Sequence, residues 1–139
     1  MKINTKGFTL VELLAVIVIL AIIALITVPI ILGVINDAKK GAAEDSAYGA
    51  IKATQLAYAR ASESVSGEVT ITFDSTGAAS DGITGNPVSK NISFSGDKPK
   101  GGTIKISGDG TATVTNLEIN GYYCNGKDSK VECATTPKS

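Results

Sequence analysis

A few residues in this 139-residue chain have chemistry to offer. Glu12 is the only ionisable side chain between Phe8 and Ile35, in an otherwise apolar stretch. A carboxylate costs roughly 2.5–3.5 kcal/mol at the centre of a bilayer and less near an interface. It therefore either lies shallow and reaches toward headgroups or is matched to a cation, and on the residues alone both readings are open. Cys124 and Cys133 show no C-x-x-C spacing and have no histidine to join them, so neither redox nor metal chemistry is indicated. They would pair most naturally in an oxidising space outside the cytoplasm. If paired, they close a loop of about ten residues, which the chain-entropy model values at roughly 2.5–3 kcal/mol. Asp97, Asp109 and Asp128 could join carbonyls around a calcium ion, but their spacing matches no EF-hand and solvated loop acids are the simpler reading.

The wider inventory narrows the function classes. There is no histidine and no tryptophan, so the usual general base and most zinc patterns are missing. Gly101-Gly102 and Gly108-Asp109-Gly110 match no phosphate-binding loop. With 13 basic and 13 acidic side chains, nothing points to a dedicated nucleic-acid surface. The small cluster Lys98, Lys100 and Lys105 has no interleaved aromatics and reads as a solvated face. The expectation is a protein with no catalytic residues, no cofactor and no metal.

The elements that must position these residues divide the chain. Residues 8–35, FTLVELLAVIVILAIIALITVPIILGVI, form a 28-residue apolar stretch, longer than the roughly 20 residues needed to span a hydrocarbon core. A cleaved secretory signal has a shorter apolar region followed by a small-residue site, and neither is present. Lys2 and Lys6 precede the span while Lys39 and Lys40 follow it, so charge leans only weakly toward an amino terminus inside the cytoplasm. The cysteines lean the same way.

Gly7-Phe8-Thr9-Leu10-Val11-Glu12-Leu13, with a short basic leader before it and an apolar helix after it, resembles the class III signal of type IV pilins and of the pseudopilins of secretion and competence systems. The resemblance covers roughly residues 1–60; beyond residue 66 it is architectural. It implies that a prepilin peptidase cuts between Gly7 and Phe8, that the new Phe8 amine is N-methylated, and that Glu12 neutralises the Phe8 amine of a neighbouring subunit during assembly. That supplies Glu12 with its cation, since a buried carboxylate and ammonium offset each other's desolvation only when both are present. Loss of residues 1–7 removes two lysines, leaving 11 basic against 13 acidic side chains.

Pro29 lacks the N–H that would bond the Leu25 carbonyl, so the helix should kink or loosen there, with Thr27 and Gly33 weakening the same stretch. The bland reading is an ordinary kinked membrane helix. The resemblance implies instead a segment around Pro29 and Gly33 that melts when the subunit moves from bilayer to filament. Residues 36–65 are rich in good helix formers, and Ala47, Ile51, Thr54, Tyr58, Ala61 and Val65 fall on one face. The Thr54 hydroxyl can bond back to the Ala50 carbonyl. This stripe needs a sheet to cover it.

From residue 68 the period switches to two. Val69, Ile71 and Phe73 alternate with threonines, as expected of a half-buried strand. Ile92 and Phe94 alternate, as do Ile104 and Ile106, with a loop at residues 74–87. Gly108-Asp109-Gly110 turns the chain into Thr111–Thr115, giving a hairpin, and the shifted phase of Leu117 and Ile119 predicts a bulge near Thr115-Asn116. The expected fold is α+β: a long amino-terminal helix, membrane-spanning in its first half and amphipathic in its second, packed on three to five antiparallel strands. Four segments follow: a leader (1–7), an assembly helix (8–35), an amphipathic helix half (36–65) and a sheet head domain (66–139) with a carboxy-terminal disulfide loop.

The expected function is structural. As the resemblance implies, the chain would be a single-pass membrane precursor, then the major subunit of a surface filament serving adhesion, motility or DNA uptake. Its partners would be other copies of itself, the prepilin peptidase, the membrane before assembly and, indirectly, a pilus assembly platform protein and its ATPase. The alternatives are a pseudopilin of a type II secretion or competence system and, from a different class, a monomeric signal-anchored binding module.

Overall fold

The computed structural model describes residues 6–82 and 88–139. Lys2 and most of the leader, and residues 83–87 of the loop expected at 74–87, lie outside the described residues. The chain divides into two compact units, Met1–Ala38 and Lys39–Ser139.

The first unit contains the opening of helix α1 (Leu10–Ala61), which runs on into the second. Every described residue before Gly41 is exposed, including the whole apolar run from Leu10 to Ile35. The helix continues through Pro29. Thr27 Oγ1 donates to the Ile23 carbonyl at 2.9 Å, so the hydroxyl is satisfied within the helix.

In the second unit, α1 presents Ala43, Ala47, Ala50, Ile51, Thr54, Ala57, Tyr58 and Ala61 as its buried face. This is the stripe expected from the sequence, broadened by small alanines. Thr54 lies fully buried, and its hydroxyl donates to the Ala50 carbonyl at 2.6 Å. The helix ends at Ala61 rather than at Val65, as the pattern had indicated. The Ser64 amide donates to the Ala61 carbonyl three residues back, beside the four-residue bond from the Val65 amide, and the Ser62 hydroxyl donates to the Ala59 carbonyl, so the end of the helix tightens and one of its last carbonyls takes a side-chain donor. Val65 still packs against the core from the loop.

Among the described residues six antiparallel strands follow: β1 (Val69–Phe73), β2 (Ala79–Ser80), β3 (Thr103–Ile106), β4 (Ala112–Ile119), β5 (Tyr122–Lys127) and β6 (Lys130–Ala134), in the sheet order β2-β1-β3-β4-β5-β6. The inward residues of β1, β3 and β4 alternate as expected: Val69, Ile71 and Phe73, then Ile104 and Ile106, then Ala112 and Val114. The β3–β4 hairpin closes through Ser107 and Thr111. The β4–β5 register shifts between Val114 and Leu117, and Asn116 adopts φ 46°, which is the bulge that brings Leu117 and Ile119 back to the core face.

Two readings of the sheet are corrected. Ile92 and Phe94 do not form a strand; they follow a 3-10 turn at Val88–Asn91 and are partly buried, Phe94 meeting Phe73 edge-on with ring centroids 5.8 Å apart. The segment between the cysteines, expected as a disulfide loop, is paired as the β5–β6 hairpin, turning at Asp128-Ser129. Cys124 and Cys133 stand directly opposite each other in it.

Candidate functional site

The amino-terminal site is built by the first turn of α1. Gly7 and Phe8 lie outside the helix, exposed, with Phe8 at 84% of full accessibility and open space around Gly7. Thr9 is the residue before the first helical position, and its carbonyl accepts from the Leu13 N–H at 3.1 Å. A helix start leaves unsatisfied N–H groups that must find acceptors. Here the Glu12 N–H donates to Thr9 Oγ1 at 3.2 Å, and the Thr9 N–H donates to Glu12 Oε2 at 2.9 Å. This reciprocal pair is a capping box.

Glu12 thus has a local role beside either reading of its charge. One oxygen closes the helix start, while an ionised carboxylate has roughly four acceptor sites in all. The other oxygen keeps its capacity for a positive charge. Sequence reasoning treated Glu12 alone and missed Thr9; the signal was the spacing Thr9-Leu10-Val11-Glu12, a T-x-x-E pattern at the edge of an apolar run.

A family model matches residues 2–28, and its description is the prokaryotic N-terminal methylation motif. The amino terminus carries a type IV pilin-like methylation signal. No curated protein and no solved structure matches the chain. Within the methylation motif fall Gly7, Phe8, Thr9 and Glu12, so the match and the capping box concern the same residues. The motif together with a helix long and apolar enough to cross a membrane fits a membrane-anchored precursor. Pro29 and Gly33 lie just beyond the matched residues, exposed and inside α1, with open space around Gly33.

The second feature is the disulfide between Cys124 and Cys133, whose Cα atoms are 4.0 Å apart. Both cysteines are buried, and Cys124 Sγ lies 3.9 Å from the Ala43 carbonyl of α1. The pair is thus part of the helix–sheet core and not the neck of a loop. Around it, Tyr48 OH donates to the Ser129 carbonyl at 2.9 Å and accepts from the Val131 N–H at 3.0 Å. Glu44 Oε1 accepts from the Cys133 N–H at 3.3 Å. Gln55 Nε2 reaches the Gly110 carbonyl at 3.0 Å and Asp128 Oδ1 at 3.3 Å. None of these helix-to-hairpin bonds was foreseen, because nothing in the spacing of single polar residues on a helix says which strand they will meet.

The other candidate groups have local partners. Asp97 accepts from Asn120 Nδ2, Asp109 from the Thr111 N–H at 2.9 Å, and Asp128 from the Ala112 N–H at 2.8 Å. No cluster of three metal-ligating side chains exists among the described residues. Lys105 pairs with Glu68 at 2.8 Å, which removes it from the basic cluster drawn from the sequence. Two exposed loop carboxylates are held below the usual range. Asp74 is stabilised chiefly by the Thr76 hydroxyl and then by the Ala78 and Thr76 amides, and Asp109 chiefly by the Thr111 amide.

Proposed function

We propose that this chain is the precursor of a type IV pilin, cut between Gly7 and Phe8 and N-methylated at Phe8, that polymerises through α1 as the major subunit of a surface filament. The observation that carries the reading is the methylation motif on an apolar helix whose described residues before Gly41 are exposed. The 14 consecutive apolar residues Leu13–Ile26, with the mostly apolar stretch that follows to Ile35, would be untenable exposed to water in a free soluble chain. A bilayer before assembly and a bundle of identical helices afterwards are the two environments that relieve it. The helices would form the core of the fibre and the sheets its coat. Glu12 would pair with the Phe8 ammonium of a neighbour and so set the register. The peptidase and the assembly platform with its ATPase would supply the chemistry and the work; the chain itself catalyses nothing. A stretch around Pro29, where one helix hydrogen bond is missing, would be the place to melt on assembly.

An intact mass of protein sheared from the cell surface tests this. A mass lacking residues 1–7, with one added methyl group and two hydrogens fewer for the disulfide, supports processing, filament location and pairing together. A full-length mass confined to the membrane fraction would instead identify a plain anchored module. Long filaments on overexpressing cells favour the pilin, and short stubs within the envelope favour a pseudopilin.

A further inference from the structure

β6 is the last strand of the sheet, with no strand beyond it among the described residues. Edge strands present a row of unpaired N–H and C=O groups that template pairing with another chain. In β6 the residues whose backbone points away from β5 alternate, and Val131 and Cys133 are the two whose N–H groups face outward. Both are taken by α1: Val131 by Tyr48 OH and Cys133 by Glu44 Oε1. Tyr48 OH also donates to the Ser129 carbonyl, which lies on the same edge. One hydroxyl thus makes the donor and the acceptor bond that a neighbouring strand would have made.

The spacing explains why a helix can do this. Glu44 and Tyr48 are four residues apart, about 6 Å along the helix at 1.5 Å per residue. Val131 and Cys133 are two apart, about 6.6 Å along a strand. One helical turn and one strand repeat therefore match, and side chains at i and i+4 meet successive outward N–H groups in register. Lys40, four residues before Glu44, lies 3.9 Å from the same Oε1 that accepts from Cys133 and lends it a positive neighbour.

We propose that Glu44 and Tyr48 act as a surrogate strand that closes the β6 edge against pairing with a second copy of this chain. Such closure matters where copies stand side by side, as the polymer reading above requires; the contacts themselves do not depend on it. An open β6 would be self-complementary. Paired antiparallel about Val131, two copies would set Lys130 of each opposite Glu132 of the other, an attractive cross-strand pair made twice. Edge association would then compete with association through the helices.

The test uses the full chain in detergent micelles, with residue-resolved amide hydrogen exchange and light scattering. Tyr48→Phe removes only the hydroxyl and should raise exchange at Val131 more than tenfold while leaving Leu117 and Ile119 in β4 unchanged. Glu44→Ala should do the same at Cys133, and Glu44→Gln, which keeps an acceptor oxygen, should restore protection. The double variant Glu44→Ala/Tyr48→Phe should associate beyond the wild-type mass, and adding Lys130→Glu, which sets like charges opposite each other, should reverse the association. Unchanged exchange at Val131 and Cys133 would overturn the proposal. So would a rise shared equally by Leu117 and Ile119, which would make the contacts general stabilisers, or a double variant with the wild-type mass. Because no filament is assayed, failure here is distinguishable from failure of the polymer reading, which the mass measurement decides.

Discussion

Thr9 and Glu12 hold the start of α1 by exchanging hydrogen bonds, each side chain accepting from the other's backbone N–H. Glu12 therefore has two separable properties, an acceptor oxygen that caps and a negative charge that can meet an ammonium. Glutamine serves the first but not the second, since capping boxes use either residue. Glu12→Gln should insert and be processed with a normal helix start, yet give no filaments. Glu12→Ala should lose both properties, and likewise insert and be cut without assembling. Filament yield by shearing, with processing followed by intact mass, checks this. Normal filaments from Glu12→Gln would reduce Glu12 to a cap and remove the charge pair from the proposal.

Thr9→Ala isolates the other half. The Glu12 N–H loses its acceptor while the carboxylate keeps its charge. The cost should be about 1 kcal/mol, the usual range for an N-cap being 0.5–2, and it should be confined to the first turn. Amide exchange at Val11 to Leu13 should rise in micelles, while residues beyond Ala24 stay protected. Filaments should persist. Their loss in Thr9→Ala, with processing intact, would mean that the cap itself is needed for assembly.

Much of this molecule was legible because burial imposes a period. The apolar run, the Ala47–Ile51–Thr54–Tyr58–Ala61 stripe, β1, the β3–β4 hairpin and the bulge at Asn116 all left periodic signals, each set by one face meeting one environment. β5 and β6 left almost none. Only Cys124 is buried in β5, and Val131 and Cys133 in β6, so two strands contribute three core side chains and the ladder, the disulfide and α1 hold them. Ile92 and Phe94 carried the right period without a ladder partner, and a side-chain pattern cannot distinguish the two cases. The capping box was hidden because Thr9 looked like part of an apolar motif. The helix-to-hairpin bonds of Glu44, Tyr48 and Gln55 had no local signal, since each joins residues about 55 to 90 positions apart.

The disulfide is the next place to measure. It joins opposite residues of the hairpin, is buried, and faces Ala43. Replacing both cysteines by alanine should cost about 2.7 kcal/mol by the chain-entropy model for a ten-residue loop, and more for the lost packing. Urea unfolding of the full chain in micelles, followed by a head-domain signal such as tyrosine fluorescence, would show the midpoint fall. Mild reductant under native conditions should act slowly, because the sulfurs are out of reach of a thiolate. An unchanged midpoint would mean that the helix contacts alone hold the hairpin.

Gly102 and Gly110 separate two costs that a glycine can hide. Both have φ 86°, where a side chain is strained, but a Cβ on Gly110 would meet nothing whereas one on Gly102 would lie 2.2 Å from the Asn116 carbonyl oxygen. Gly110→Ala should cost about 1 kcal/mol, the backbone penalty alone. Gly102→Ala must in addition push β4 away at its bulge, with an overpacking cost of about 1–3 kcal/mol more. The comparison is a pair of urea midpoints on otherwise identical protein. Equal midpoints would show that the β3–β4 approach yields without resistance.

The depressed carboxyls of Asp74 and Asp109 each contribute a little to stability that is lost in acid. Asp74 Oδ1 accepts from the Thr76 amide at 2.8 Å, the Thr76 hydroxyl at 2.6 Å and the Ala78 amide at 2.9 Å, bonds that favour the ionised form. A group whose folded pKa lies below its unfolded value contributes stability in full above the unfolded value, here 3.8, and loses it as pH falls through the folded value. Both side chains are fully exposed, so solvent screening keeps each contribution small. Wild-type stability should therefore be flat from pH 7 to about 5 with respect to these two groups and decline below about 4. Asp74→Asn keeps an acceptor oxygen but cannot titrate. Its stability should lie slightly below wild type at pH 7 and converge with it near pH 2, as read from thermal midpoints across that range. A gap that persists or widens at low pH would mean that Asp74 acts through shape and not through its charge.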